Sequence, residues 1–213
     1  MPKRKKRSKP GAIKIPVSPV KSDKDRQALF EIFSHNPRNL AMFLLGVTCA
    51  LRIRDLLSLR VKDVLVGNLD KIRIVDRIVV REHKTGKIKS FPVHLKARGA
   101  LRTYLRARRP QDPEEPLFLS RQHGKKEDRR EHVGPISREQ AWRIISAAGE
   151  LAGLPYAIGT HSMRKTFGYL LYKRTKDIAL VQKTLNHSST QHTLRYIGIE
   201  QEDIDTAHLS IDL

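Results

Sequence analysis

The sequence is poor in the groups that cross-link a small protein or hold a metal through sulfur. One cysteine, Cys49, stands among 213 residues. That excludes an internal disulfide and a cysteine-based zinc site. Its place in the apolar run NLAMFLLGVTCAL marks it as core. Acidic residues are scarce: 22 Asp and Glu face 42 Lys and Arg, for a net charge of +20. No apolar run approaches the length of a membrane span. The basic N-terminus lacks the apolar stretch of a secretory signal. These absences point to an intracellular chain, cytoplasmic and nucleoid-associated if the source is prokaryotic. A balance this basic calls for a polyanionic partner, nucleic acid ahead of an acidic membrane surface.

What is present reads as a mainly helical protein with one small antiparallel β-sheet, an α+β pattern in a single domain. Residues 1–21 carry a charge block of Lys3, Arg4, Lys5, Lys6, Arg7 and Lys9, followed by Pro and Gly. Such a segment is expected to be a disordered arm, either solvated or tracking DNA phosphates. Ser22 is placed to cap a first helix through Leu29 and Ile32, and Pro37 opens a second that is apolar nearly all round. A short helix follows over Ile53 to Leu59. Residues 72–93 are rich in Ile and Val and predict strands whose last hairpin turns near Lys84-Thr85-Gly86-Lys87. Helical spacing returns from Leu95 to Arg109. Residues 121–134 read as an exposed loop. Ser137 and Gln140 form a capping-box pattern for a helix whose apolar face uses Trp142, Ile145 and Ala148. Helices near 162–173, 177–186 and 189–196 follow, with a short one near 201–208.

Six residues stand out as chemistry. Arg52 follows the apolar helix, tightly flanked by apolar neighbours, with Asp55 as an obvious ion-pair partner. Lys84 sits on the hairpin, with Lys87 and Lys89 as competitors for any role as a proton donor. His161 and Arg164 lie three apart at a helix entry, where unpaired backbone N–H groups favour an anion. Arginine is the side chain best shaped to hold two phosphate oxygens. His187 ends one helix. Tyr196 lies on a short polar helix and is expected to be more accessible than Tyr169 or Tyr172, and tyrosine is a known nucleophile.

Taken in order, Arg52, Lys84, His161, Arg164, His187 and Tyr196 resemble the catalytic set of the tyrosine recombinases, the phage integrase family. The boxes around them match as well: Ala50-Leu51-Arg52-Ile53-Arg54-Asp55-Leu56, Lys84-Thr85-Gly86-Lys87, Thr160-His161-Ser162-Met163-Arg164, and Leu185-Asn186-His187 followed nine residues later by Tyr196. The resemblance covers roughly residues 22–205. It implies a site-specific recombinase that cleaves and rejoins DNA through a 3′-phosphotyrosine. Arg52 and Arg164 would neutralise the phosphate, His161 would accept the tyrosine proton and Lys84 would protonate the 5′ oxygen. Asp55 matches a supporting acidic position and is expected to hold Arg52. The set has cations where a metal nuclease needs clustered carboxylates, so no metal or other cofactor is implied. Implied partners are double-stranded DNA, further copies in a homotetramer, and accessory DNA-bending proteins.

Two departures qualify the match. Asn186 stands where the family usually has glycine, although asparagine tolerates left-handed backbone. About twenty residues precede the catalytic fold, where many members carry a core-binding domain. The chain therefore resembles the short members such as the fimbrial switch invertases, or a fragment of a longer protein. Residues 22–213 are read as the catalytic domain, with an acidic, mildly apolar tail from about residue 200 that docks either on its own domain or on a neighbour. The competing functions are a type IB topoisomerase and a non-catalytic basic DNA-binding protein.

Overall fold

Ser22 caps the first helix as its position predicts: its hydroxyl accepts the backbone N–H of Asp25 at 3.3 Å. In the computed structural model, which describes residues 16–67, 71–120, 134–199, 208, 209 and 211, this helix, α1, spans Asp23–Ser34. Asn36 caps α2, Pro37–Cys49, and Pro37 occupies its first turn, where a missing N–H costs nothing. The elements that follow are α3 (Ile53–Leu57), a single 3-10 turn (Val61–Asp63), β1 (Arg77–Arg81), β2 (Ile88–Pro92), α4 (Leu95–Arg108), α5 (Arg138–Leu151), α6 (Thr160–Thr175), α7 (Ile178–Leu185) and α8 (Thr190–Ile197). The basic block at residues 3–9, the loop at 121–133 and nearly all of the tail lie outside the described residues. Among the described residues, no helix is long and apolar enough to cross a membrane.

The all-round apolar helix α2 is the centre, as its sequence requires. It packs against α1, α4 and α6, and Ala41, Met42, Phe43, Leu44 and Leu45 are buried there with Leu29, Phe33, Leu101 and Leu105. Phe33 and Phe43 stack at 4.6 Å. The crossing of α2 and α6 is close because Gly46 has no side chain: a Cβ there would lie 2.5 Å from the Met163 sulfur. A second, smaller cluster joins Ala50, Val181, Leu185 and Ile197, flanked by Phe167, Tyr169 and Tyr172. It holds α7 and α8 against α6.

The sheet is narrower than residues 72–93 suggested. Two antiparallel strands pair from Arg77↔Pro92 to Arg81↔Ile88, with one isolated bridge, Leu65↔Ile74, beside them. Gly86, at φ +67, makes the turn after Lys84. Other details differ from expectation. Trp142 is 52% exposed, and the buried face of α5 is Ala141, Ile145 and Ala148. Ser137 accepts from Gln140 N–H at 3.1 Å, but the Gln140 side chain accepts from Ser120 instead of closing the capping box. Residues 16–21, read as part of the arm, pack on the body. Ser18 N–H donates to Ala157 O (3.0 Å), Val20 N–H to the Thr166 hydroxyl (2.8 Å), and Lys165 Nζ to Val17 O (2.7 Å).

Candidate active site

Arg52, Lys84, His161, Arg164, His187 and Tyr196 line one open cleft of about 330 Å³, together with Asn186, Ser188 and His192. Five places along the chain supply them: the α2–α3 junction, the hairpin, the first turns of α6, the α7–α8 turn, and α8. The sequence spacing thus collapses into a single site.

Arg164 is the keystone. It is 3% exposed, and its two terminal nitrogens donate to Ala50 O and Leu185 O. Each carbonyl sits at a helix C-terminus that ends in a left-handed residue, Ala50 (φ +57) after α2 and Asn186 (φ +52) after α7. Helix ends leave such carbonyls without intrahelical partners, so the guanidinium satisfies both and ties the two helix ends together. Its side chain also borders the cleft. Asn186 adopts the left-handed turn expected of it.

Arg52 corrects one expectation. Its partner is not Asp55 but Glu82, at 2.9 Å. Glu82, 2% exposed, also accepts the Thr85 hydroxyl at 2.8 Å and the Asn186 side-chain amide at 3.2 Å. Burial pushes its pKa up. The Thr85 hydrogen bond and the Arg52 charge outweigh that, and the net pKa lies below the ordinary carboxylate value. One buried carboxylate therefore joins the first arginine, the hairpin and the α7–α8 turn. Sequence reasoning missed Glu82, and its only signal was an acid at the end of a β-strand facing the cationic set. Asp55 does something else: its Oδ1 accepts the backbone N–H of His83 and contacts the His83 ring Nδ1, both at 2.9 Å. It thereby pins the hairpin one residue before Lys84.

The structure separates the competing lysines. Lys84 is exposed and borders the cleft. Lys87 is exposed but does not line it. Lys89 donates to Thr184 O at 3.0 Å, and burial, aided by the Arg164 charge, lowers its pKa. It clips β2 to α7.

Tyr196 is less accessible than expected. It is partly buried against the smaller cluster, with the His187 ring edge-on at 4.8 Å and Lys165 Nζ over its ring at 5.4 Å. Burial raises its pKa, and Arg164 and Arg52 pull the other way. Two features let α8 lie close to α6. Gly168 has no Cβ, which would sit 2.7 Å from Ile197, and Gly198 ends α8 at φ +77. His187 is pushed down to about 4, first by burial, then by Arg164, His192, Arg52 and Lys84. His161 is lowered by desolvation and by Arg164, Lys165 and Arg52. Both imidazoles are thus neutral at pH 7. His192, not anticipated, packs edge-on to His187 at 4.7 Å and stacks near Tyr196 at 6.1 Å.

The cleft gathers two arginines and a lysine, a chemistry suited to an anion, beside the imidazoles of His161, His187 and His192 and the hydroxyls of Ser188 and Tyr196. Among the described residues, no cluster of His, Cys, Asp and Glu is arranged to hold a metal. The sequence profile described as the phage integrase family matches residues 23–202. The chain belongs to that family.

Within this family, the chain is 37% identical over 193 residues to "Probable integrase/recombinase YoeC" of Bacillus subtilis (strain 168), covering 90% of this chain and 95% of the relative. It is 30% identical over 162 residues to "Type 1 fimbriae regulatory protein FimE" of Escherichia coli (strain K12), covering 75% and 73%. The fold agrees with solved structures. The crystal structure of XerA recombinase superposes with a TM-score of 0.68 at 23% identity, over 93% of this chain and 67% of that one. XerH bound to palindromic difH substrate, in a post-cleavage complex, gives 0.65 at 18% identity, over 90% and 52%. The chain is a tyrosine recombinase of the integrase type, and the mainly helical catalytic fold with one small sheet is the one its sequence predicted.

Proposed function

We propose that this integrase-family chain is a site-specific recombinase of duplex DNA, with Tyr196 as nucleophile. The observation that carries the proposal is the convergence of Arg52, Lys84, His161, Arg164, His187 and Tyr196 on one cleft. A phosphodiester entering it meets Arg164 and Arg52 at its non-bridging oxygens, where charge develops as phosphorus is attacked. Tyr196 displaces the 5′ oxygen and leaves a 3′-phosphotyrosine. Lys84 protonates the departing oxygen, and His161, its pKa lowered first by burial and then by its cationic neighbours, accepts the tyrosine proton. Because the covalent bond stores the energy of the one it replaces, rejoining needs no external energy source.

A solved structure of the same fold supports DNA as the partner: XerH is bound to its difH substrate. Strand exchange between two duplexes requires four such sites, so the assembly on DNA is a homotetramer, with accessory DNA-bending proteins as further partners. The basic block at Lys3, Arg4, Lys5, Lys6, Arg7 and Lys9 supplies phosphate contacts to the same duplex. Deleting residues 1–10 then weakens binding and flattens its salt dependence, and unchanged affinity and slope would remove that part.

The test is covalent trapping. Nicked duplexes with a randomised core are incubated with the protein, and adducts are recovered from a denaturing gel and sequenced. We expect an adduct with the wild type and none with Tyr196→Phe. An adduct that persists in Tyr196→Phe would defeat the nucleophile assignment.

A further inference from the structure

Three of the elements that supply the cleft meet on one side chain outside it. Arg52 Nη1 donates to Glu82 Oε1 at 2.9 Å, the Thr85 hydroxyl to Oε2 at 2.8 Å, and the Asn186 side-chain amide to the same Oε2 at 3.2 Å. Glu82 is buried and does not line the cleft. Its backbone closes the hairpin as well: the N–H donates to Lys87 O at 2.9 Å, and the carbonyl accepts from Gly86 N–H at 2.8 Å. Lys84 lies between Glu82 and Thr85 in the sequence, so the turn that carries it is fastened on both sides.

An ionised carboxylate suits three donors. It accepts on both oxygens and donates nothing, and bonds to an ion are stronger than neutral ones. A glutamine of the same shape would turn an amide N–H toward a donor. Burial alone would push the Glu82 pKa up, but the Thr85 hydroxyl, the Arg52 charge and the Asn186 amide bring it below the ordinary carboxylate value.

Asn186 is the informative partner. A left-handed helix end is the usual place for glycine, yet Asn186 occupies it at φ +52. Its backbone makes the turn that glycine would make. Its side chain does what glycine cannot, and reaches a residue 104 positions away in sequence. His187 follows it directly.

We propose that Glu82 is a positioning residue for strand cleavage, with Asn186 as its link to the α7–α8 turn: one carboxylate holds Arg52, Lys84 and His187 in register around the cleft. The proposal rests on the cleavage reading above. Glu82 takes no proton and acts only through the side chains it holds. Its link crosses between separate parts of the fold, since Arg52 and Lys84 stand with α3 and the hairpin and His187 stands between α7 and α8. Without it, the His187 turn is free to shift against the two cations. A misplacement of about 1 Å at a reacting centre costs up to about 100-fold in rate.

Two measurements test it. The first needs no DNA. Amide hydrogen exchange in the wild type is compared with Asn186→Gly, which keeps the left-handed turn and removes only the side chain. We expect faster exchange at Glu82 and Gly86, the amides that close the hairpin. Unchanged exchange there overturns the link.

The second follows adduct formation on a duplex recovered by trapping. The rate at saturation and the half-saturating concentration are read separately, at a temperature where circular dichroism shows each variant folded. Asn186→Gly is expected to be about 10-fold slower and Glu82→Gln about 10- to 100-fold slower, with half-saturation unchanged. Thr85→Val is expected to be slow, and Thr85→Ser to restore the rate. Adding Asn186→Gly to Glu82→Gln is expected to slow the reaction less than about twofold further, because the shared bond is already lost. A wild-type rate in Asn186→Gly, or single effects that multiply in the double variant, overturns the positioning role even where exchange changes. If Glu82→Gln does not fold, Asn186→Gly decides by itself. A wild type that forms no adduct defeats the cleavage reading and the positioning role together, and the exchange result then judges the link alone.

Discussion

Arg52 and Lys84 stand on the main core, whereas His187 and Tyr196 stand on a cluster of four buried residues. The first half is built from α2, α3 and the hairpin, with α2 packed on three other helices. The second half rests on Ala50, Val181, Leu185 and Ile197. What the second half lacks in apolar area it makes up in polar hooks: Arg164 to Leu185 O, Lys89 to Thr184 O, and Glu82 to Asn186. Such hooks hold position while contributing less to stability than a buried side chain. The proposed nucleophile is therefore expected on the part of the fold that opens most readily, and the two cations proposed to meet phosphate on the part that opens least.

The largest effect that sharpens this contrast is chemical. Tyr196→Phe removes one oxygen and is expected to abolish the adduct while leaving the melting temperature nearly unchanged. Next, Lys84→Ala is expected to slow cleavage about 10²- to 10⁴-fold, with Lys87→Ala close to wild type. A 5′-bridging phosphorothiolate, whose thiolate leaves without a proton, is expected to rescue Lys84→Ala. Failure of that rescue would mean that Lys84 binds phosphate rather than protonating the leaving group.

Stability separates the halves more directly. Leu45→Ala in α2 is expected to cost ~2–5 kcal/mol in urea unfolding. Leu185→Ala is expected near the low end of that range, yet to slow adduct formation more than Leu45→Ala does. Hydrogen exchange is expected to be faster in α7 and α8 than in α2 and α4. If the two sets exchange together, the contrast between the halves is wrong. The smallest effect is acid sensitivity. His187 has a lower pKa folded than unfolded, so between about 4 and 6.5 the unfolded chain binds more protons. Its contribution is complete above 6.5 and is lost as the pH falls through about 4, and His161 acts in the same direction. His187→Asn is expected to show a shallower loss of stability over that interval.

Much of the site was legible because its members sit in strong local patterns. Arg52 ends an apolar helix, His161 and Arg164 share a helix face, and Asn186 stands at a helix end that needs left-handed backbone. The partners were less legible, because pairing is settled in three dimensions. Asp55, three residues from Arg52, was the natural candidate by sequence, yet Glu82, thirty residues away, makes the ion pair. Helical spacing puts Trp142 inward, but its ring lies half exposed against Gly159. Tyr196 was read as accessible from its polar neighbours. The close approach of α8 to α6 at Gly168, which half-buries it, has no local signature.

The two roles of Arg164 bear on the choice of an inert protein for capturing complexes with DNA. Its guanidinium bonds carbonyls at the ends of two helices, so replacing it removes a brace as well as the proposed ligand for phosphate. A silent variant at that position confounds lost chemistry with a shifted turn at His187. A complex trapped with it would show DNA over a displaced site, whereas a lesion confined to the tyrosine hydroxyl leaves the brace, and the picture, intact.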